Sequence, residues 1–356
     1  MQRITPLILF VLLGSLSGLS QATSDESNYE PPQTPWGTPD LQGVWDFRTL
    51  TPLERPLEFG DKATLTAEEA KVLLDTILPP DRVDEPTGVA TQDVEGYNSF
   101  WLDAGESLDK HMRTSLIVDP PNGRLPDVVA DANARRLAQN NQRTPPVRDI
   151  LSYSVGPNYL HQHPESLGLS ERCLLGFNAG PPITPSAYNN NLRIVQTPSY
   201  LLLVTEMIHD ARIIPTDGRP HLPGDIRQWL GSSRGYWEGN TLVVETGNFT
   251  DKTPGYHLPV QLVQASANGV VGSGKNLHLI ERFTLTGDGQ LRYEATVDEP
   301  SFKQSFTQRV IMQASHDKIF EYACHEGNYA MGGILRGARL RERQNMSISQ
   351  ETASRP

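Results

Sequence analysis

The sequence has few of the features that identify a reaction or a partner. Its 356 residues include no Walker motif, dinucleotide fingerprint, HExxH motif or CxxC pair, and only 2 cysteines. The 31 lysines and arginines are outnumbered by 42 aspartates and glutamates, and they are dispersed along the chain. This distribution argues against a nucleic-acid partner and against binding to an anionic membrane surface. A ligand therefore has to be inferred from the fold and from clusters of polar residues.

Long apolar runs are also lacking, except at the N-terminus. Residues 1–3 have the character of the basic region of a signal peptide, residues 7–16 of its apolar region and residues 19–22 of its cleavage site. The apolar run falls short of the roughly 20 residues that a membrane-spanning helix needs. The sequence therefore predicts that residues 1–22 are removed and that the protein is periplasmic or secreted.

The two cysteines, Cys173 and Cys324, are candidates for one disulfide, because an exported chain meets an oxidising compartment. Such a bond would close a loop of roughly 150 residues and stabilise the fold by on the order of 5 kcal/mol. Two alternatives stay open at this point. The thiols could be free and buried, or Cys324 could be a nucleophile beside His325.

The composition favours loop-rich β structure over helix bundles, because glycine (29 residues) and proline (28) are abundant while charged residues make up only 21% of the chain. Residues 23–40 lack periodicity and are predicted to be a flexible lead-in. Residues 41–191 follow as an N-terminal arm that is rich in turns.

This arm is predicted to hold the first strands and two short helices. The strands cover residues 43–47 and 113–118. The first helix covers residues 66–78 and starts with a capping box, in which Thr66 is the N-cap and Glu69 follows three residues later. The second helix, rich in alanine, covers residues 127–140.

After residue 191 the pattern becomes regular, with apolar and polar residues alternating between turns. Predicted strands cover residues 192–197, 200–207, 211–216, 234–238, 241–246, 277–286, 290–298, 306–314 and 318–324. Such an antiparallel up-and-down series closes most economically into a lipocalin-like barrel, and a two-sheet sandwich is the alternative. We therefore predict a mainly β protein, with a barrel at 192–336, a tail at 337–356 and one continuous unit over 41–336.

Ionisable residues cluster after the strand predicted at 200–207. If Leu202 and Val204 face the interior, Glu206 faces it too, and a carboxylate buried near a cation is suited to general acid/base catalysis. In this hypothesis Glu206 or His209 is the base, Asp210 orients the histidine and an arginine stabilises negative charge. The catalytic candidates are Glu206, His209, Asp210, Arg212, His325 and Glu326. A structural network of ion pairs and hydrogen bonds is the alternative.

Further residues could line a pocket for an apolar or aromatic ligand. The ligand-binding candidates are Trp45, Arg219, His221, Trp237 and Glu281. For the aromatic residues, a place in the core is the open alternative. No metal site and no cofactor are predicted, because His209, His221 and His325 lack the close spacing of metal ligands.

One serine fits a catalytic pattern in the wrong context. Residues 231–235 match the nucleophile elbow of α/β-hydrolases around Ser233, but a hairpin follows where a helix is needed. Ser233 is therefore not predicted to be a nucleophile.

Several longer strings carry a resemblance to known proteins. They are PWGTPDLQGVW (35–45), RTSLIVDPPNGR (113–124), SERC (170–173), HDARIIP (209–215), DGRPH (217–221), WEGNTLVV (237–244) and CHEGNY (324–329). Through them the chain resembles a widespread family of exported bacterial proteins, and the resemblance implies one continuous unit but no particular activity. Gly43 and Trp45 also resemble the GxW start of lipocalins, in which the tryptophan closes one end of a ligand-holding barrel.

These observations together predict an exported β-barrel that binds a small organic molecule in a pocket with an apolar body and a charged rim. Acid/base chemistry on that molecule, a hydrolysis, elimination or isomerisation, is the enzymatic form of this hypothesis. A carrier or scavenger without turnover, and a structural or interaction protein of the cell envelope, are the alternatives.

Overall fold

A computed structural model describes residues 29–77, 103–130, 164, 169–170, 172–176, 178–180, 182–186, 188–253, 256–257, 270–271, 274–287 and 289–353. The predicted signal peptide and most of the helix predicted at 127–140 lie outside these residues. The side chain of His209 lies outside them as well.

In this part of the chain, most of the regular structure belongs to one antiparallel sheet. Its strands are β1 (Gly43–Asp46), β2 (Ile117–Asp119), β3 (Asn191–Gln196), β4 (Tyr200–Thr205), β5 (Ala211–Pro215), β6 (Ser232–Glu238), β7 (Thr241–Gly247), β10 (His278–Gly287), β11 (Gln290–Asp298) and β12 (Phe306–Ser315). The order across the sheet is β5-β4-β3-β1-β12-β11-β10-β7-β6, and β2 pairs with β12. Two further strands, β8 (Tyr256–His257) and β9 (Val270–Val271), pair only with each other. The mainly β, antiparallel prediction is confirmed.

The core is formed by the buried face of this sheet. Along β11 the residues Leu291, Tyr293, Ala295 and Val297 are fully buried, and the residues between them are partly exposed, as the alternation predicts. Phe306 of β12 packs edge-on against Tyr256 of β8, with ring centroids 5.0 Å apart. Each large apolar side chain buried here contributes about 1.5–3 kcal/mol.

The sheet does not close into the predicted barrel. No hydrogen-bonded ladder joins the edge strands β5 and β6 in the described strands, although the two edges lie against each other. A Cβ on Gly235 of β6 would lie 3.1 Å from Cγ2 of Ile214 and of Thr216, so a side chain there would require these neighbours to shift by a few tenths of an ångström. The two edges therefore meet through side-chain contacts and not through backbone hydrogen bonds. The sheet brings its two edge strands together without closing, which is an open sheet or a sandwich. We call the boundary between β5 and β6 the seam.

Two α-helices accompany the sheet in the described residues. Helix α1 (Ala67–Ile77) has the predicted capping box: Thr66 N–H donates to Glu69 Oε2 (2.8 Å), and Glu69 N–H donates to Thr66 Oγ1 (3.3 Å). Helix α2 (Tyr329–Ala353) was not predicted from the sequence. No helix in this part of the chain has the length and hydropathy needed to cross a membrane.

The strand predicted at 318–324 is wrong, because these residues form no ladder with the sheet. Residues 316–328 run instead as an irregular segment, whose contacts with the rest of the molecule include a hydrogen bond from Asn328 Nδ2 to Cys173 Sγ (3.4 Å). The backbone N–H of Phe320 donates to Glu206 Oε1 (3.3 Å), and Cys324 is bonded to Cys173.

Candidate functional site

Across the seam, Arg212 joins one end of the sheet to the other. Its Nη1 donates to Glu281 Oε1 of β10 (3.0 Å), and its Nη2 forms an ion pair with Glu281 Oε2. Nη2 also donates to Ser233 Oγ of β6 and to Thr246 Oγ1 of β7, both at 3.1 Å. We call Arg212, Ser233, Thr246, Glu281 and Tyr293 the seam network. It links β5, the strand of Arg212, to β6, β7 and β10, with which β5 forms no backbone ladder in the described strands.

Tyr293 of β11 completes this network. Its hydroxyl donates to Glu281 Oε1 (2.8 Å) and accepts the backbone N–H of Ile183 (2.9 Å). Burial and the neighbouring Glu281 carboxylate raise the pKa of Tyr293 well above its ordinary value. Tyr293 therefore stays protonated and acts as a hydrogen-bond donor.

The Arg212–Glu281 ion pair is almost completely removed from water. The side chains are 5% and 0% exposed. Burial by itself lowers the pKa of Arg212, but the charge and hydrogen bonds of Glu281 outweigh it and leave the pKa raised. Arg212 thus stays positively charged, and the pair as a whole is neutral.

The donors of the seam network outnumber its acceptors. Arg212 Nε is buried and has no hydrogen-bond partner among the described residues. The hydroxyl oxygens of Ser233 and Thr246 lie 2.9 Å apart, so one hydroxyl donates to the other while both accept from Arg212. A hydroxyl carries one proton, so the second proton of this pair has no acceptor among the described residues. Two donors are therefore left over side by side.

Strand alternation explains why these polar groups point inward. Arg212 shares the buried face of β5 with Ile214, and Glu281 shares that of β10 with Leu279 and Phe283. Each polar residue thus occupies a position that the pattern assigns to the core. An ionisable residue two positions from a buried apolar one was the signal available in the sequence. The sequence analysis named Arg212 and Glu281 as candidates without using this signal, Tyr293 and Thr246 were missed, and Ser233 was considered only as a nucleophile.

Glu206 and Asp210 belong to a different region. Glu206 is buried, but its Oε2 accepts from Asn191 Nδ2 (2.7 Å) and its Oε1 from Phe320 N–H. Asp210 Oδ2 accepts the backbone N–H of Gly176 (3.1 Å). The prediction that Leu202 and Val204 face the interior together with Glu206 is wrong. The buried face of β4 is formed by Leu201, Leu203 and Thr205.

The predicted disulfide is confirmed and lies beside these carboxylates. Cys173 and Cys324 are bonded, with their Cα atoms 5.7 Å apart. The disulfide corner is the region formed by Cys173, Gly176, Glu206, Asp210, Phe320 and Cys324. His325 and Glu326, which follow Cys324, are exposed to solvent. The structure thus places Arg212 in the seam network and Glu206 in the disulfide corner.

The remaining candidates also lie apart. Arg219 forms an ion pair with Asp217 and stacks at 5.1 Å from the ring centroid of Tyr200, on the exposed surface. His221 Nδ1 lies 3.0 Å from the carbonyl oxygen of Ser232. Trp45 is buried and donates its Nε1–H to Leu41 O (2.9 Å), while Trp237 is partly buried against the core. No group of three or more His, Cys, Asp or Glu side chains that could hold a metal occurs in the described residues.

Comparison with known proteins adds no identity to this geometry. No family model matches the chain, and neither a curated protein nor a solved structure has significant similarity to it.

Proposed function

We propose that the protein binds a small organic molecule within the folded-over sheet, with the seam network as the polar end of the site. The observation that carries this proposal is the buried Arg212 Nε–H, which has no partner in the part of the chain that the structure describes. A buried donor without an acceptor costs about 1–3 kcal/mol, so such groups are rare in native proteins. A bound molecule that supplies an acceptor recovers this free energy, and the recovered part favours binding.

The surroundings support an apolar body for that molecule. Ile214, Leu242, Val244, Leu279 and Phe283 are buried on the strands that carry the seam network. Ligand sites combine such apolar walls with a few polar groups that fix the orientation of the ligand. The charged rim expected from the sequence is not part of the proposal, because Arg219 is paired with Asp217 at the surface.

The proposed activity is binding of the molecule without its chemical conversion. A general base needs a free lone pair and a pKa near the working pH. Of the roughly four acceptor sites of the Glu281 carboxylate, three are taken, two by hydrogen bonds from Arg212 and one by a hydrogen bond from Tyr293, and the carboxylate is held in an ion pair with the guanidinium. Tyr293 itself, with its raised pKa, is a poor base. A carrier or scavenger is therefore favoured over a hydrolase, lyase or isomerase.

We also propose that the protein acts outside the cytoplasm. The N-terminal residues have the pattern of a signal peptide, and the Cys173–Cys324 disulfide is of the kind that persists in oxidising compartments. N-terminal sequencing of the protein purified from its own host is expected to begin near residue 23. An intact Met1 would contradict export by cleavage.

Native mass spectrometry tests the binding proposal. Protein purified from its own host under mild conditions is expected to carry an additional organic mass, which denaturation releases. The double variant Arg212→Met/Glu281→Leu removes both charged members of the seam network, including the unpaired donor, without leaving a buried charge, and we expect it to lose that mass.

A matched control is available on the outer face of the sheet. Arg193 of β3 is exposed, so Arg193→Met makes the same change away from the interior and should retain the bound mass. A wild-type protein that carries no molecule, or a double variant that retains it fully, would contradict the proposed function.

A further inference from the structure

We infer that the group bound at the seam network is an uncharged carbonyl oxygen, as in a ketone, ester or amide, and not a carboxylate or another anion. This inference rests on the proposed function, and it names the chemical class of the ligand's polar end. Three features of the seam network support it: its charge balance, the number of its spare donors and their direction.

The charge of the network is already balanced. Arg212 supplies one positive charge and Glu281 one negative charge, and their side chains are 5% and 0% exposed. An anion at Arg212 Nε would leave this region with a net negative charge in a medium of low dielectric constant. Transfer of an ion from water to such a place costs several kcal/mol unless a counter-ion compensates it. A neutral acceptor avoids that cost.

The spare groups are donors. Within the described residues, Arg212 Nε–H has no acceptor, and the Ser233–Thr246 hydroxyl pair has one proton left after its mutual hydrogen bond. An ammonium or another pure donor on the ligand would add to this surplus. A carbonyl oxygen has two lone pairs and no proton, so it can accept both hydrogen bonds at once.

The planarity of the guanidinium group directs the Arg212 Nε–H toward the side on which the two hydroxyls lie. Nη1 and Nη2 each donate a hydrogen bond to one oxygen of Glu281. Nη2 has a second hydrogen, which points away from that carboxylate. In a guanidinium this second hydrogen is parallel to Nε–H. Because Nη2 contacts both hydroxyls, Nε–H points to the side on which Ser233 and Thr246 lie. One oxygen atom can therefore meet Arg212 and a hydroxyl together.

Three probes of similar size separate the possible classes. Acetophenone carries a carbonyl group, ethylbenzene lacks an acceptor, and benzoate carries a negative charge at pH 7. Binding is measured on the full-length protein with its arginines labelled with ¹⁵N, from the side-chain Nε–H resonances. The Arg212 resonance is assigned by its loss in Arg212→Met/Glu281→Leu.

We expect acetophenone to shift the Arg212 Nε–H resonance and to bind about tenfold or more tightly than ethylbenzene and benzoate, since one good hydrogen bond to buried donors is worth about a factor of ten. Thr246→Val removes one hydroxyl and should reduce this preference severalfold. Thr241→Val is the control on the same strand, because Thr241 pairs with Thr284 outside the network and should leave the preference unchanged.

The other outcomes are distinguishable. Benzoate binding as tightly as acetophenone, with a shift of the same resonance, would overturn the carbonyl inference and leave the proposed function standing. Equal binding of ethylbenzene and acetophenone without that shift would also overturn it. If none of the three probes binds, the inference fails, and the mass-spectrometric experiment decides separately whether the protein binds any molecule.

Discussion

The seam network and the disulfide corner each contain a buried glutamate, and the two carboxylates are used differently. Glu281 is paired with a buried guanidinium and leaves a donor of that guanidinium free. Glu206, which is 5% exposed, accepts from an amide side chain and from a backbone N–H of the C-terminal segment. The first arrangement has hydrogen-bonding capacity left for a ligand, whereas the second fastens chain segments together. Burial of a carboxylate alone therefore does not identify a binding site.

Removal of the disulfide should have the largest effect on stability. Cys173 and Cys324 are separated by 151 positions, and loop entropy predicts that the variant Cys173→Ala/Cys324→Ala loses about 5 kcal/mol of its free energy of unfolding. Urea denaturation measures this loss. At urea concentrations below its unfolding midpoint, the variant should still retain the molecule bound at the seam network, because the disulfide corner and the seam network share no residues. A loss below about 1 kcal/mol would show that the corner is held by other contacts.

The substitution Glu281→Gln should have the next largest effect. It leaves the Arg212 guanidinium buried without a counter-ion, which costs about 3–5 kcal/mol. The apolar double variant Arg212→Met/Glu281→Leu should recover most of this stability, because it removes both charges. Denaturant midpoints of the two variants test the pairing. If Glu281→Gln were as stable as the wild type, the Arg212 guanidinium would have to be solvated by water at the seam, which would contradict the buried ion pair.

The same substitution in the disulfide corner should cost less. Glu206→Gln keeps one oxygen acceptor and leaves no cation unpaired, so we expect a loss of about 1–2 kcal/mol from weaker hydrogen bonds. The measurement is again urea denaturation, compared directly with Glu281→Gln. An equal or larger loss at Glu206 would contradict the distinction drawn between the two carboxylates.

The exposed Asp217–Arg219 ion pair should contribute least. Arg219 lowers the pKa of Asp217 to about 2. The lowered pKa means that any stabilisation is present above the unfolded pKa of about 3.9 and is lost as the pH falls through the folded value. An NMR titration of the Asp217 carboxyl carbon should have its midpoint near 2, and in Arg219→Ala the midpoint should move up toward the ordinary value. An unchanged midpoint would show that another group lowers it.

The parts of the fold that sequence predicted well are those with a local cause. The capping box of Thr66 and Glu69 and the alternation along β11 depend on neighbours a few positions apart, and both are confirmed. The disulfide followed from the number of cysteines in a chain with an export signal, and it is confirmed as well.

The predictions failed where the local pattern carries no information, or where the result depends on contacts between distant segments. In the run from Leu201 to Val204 every residue is apolar, so no polar residue marks the outer face, and the wrong face was assigned to the core. Residues 318–324 alternate like a strand but are held by Glu206 and the disulfide in place of a ladder. Closure of the barrel depended on how β5 meets β6, which stand at opposite ends of the strand order and lie against each other without a ladder. The candidate site was therefore split, with Arg212 and Glu281 in one place and Glu206 in another.

A crystal structure of the protein purified from its own host tests the central claim most directly, through the electron density beside Arg212 Nε. We predict density for an organic molecule whose oxygen atom lies about 3 Å from Nε, within hydrogen-bonding distance. Apolar side chains packed directly against Nε, or density for a single isolated water molecule there, would contradict the claim that the seam network is a ligand site.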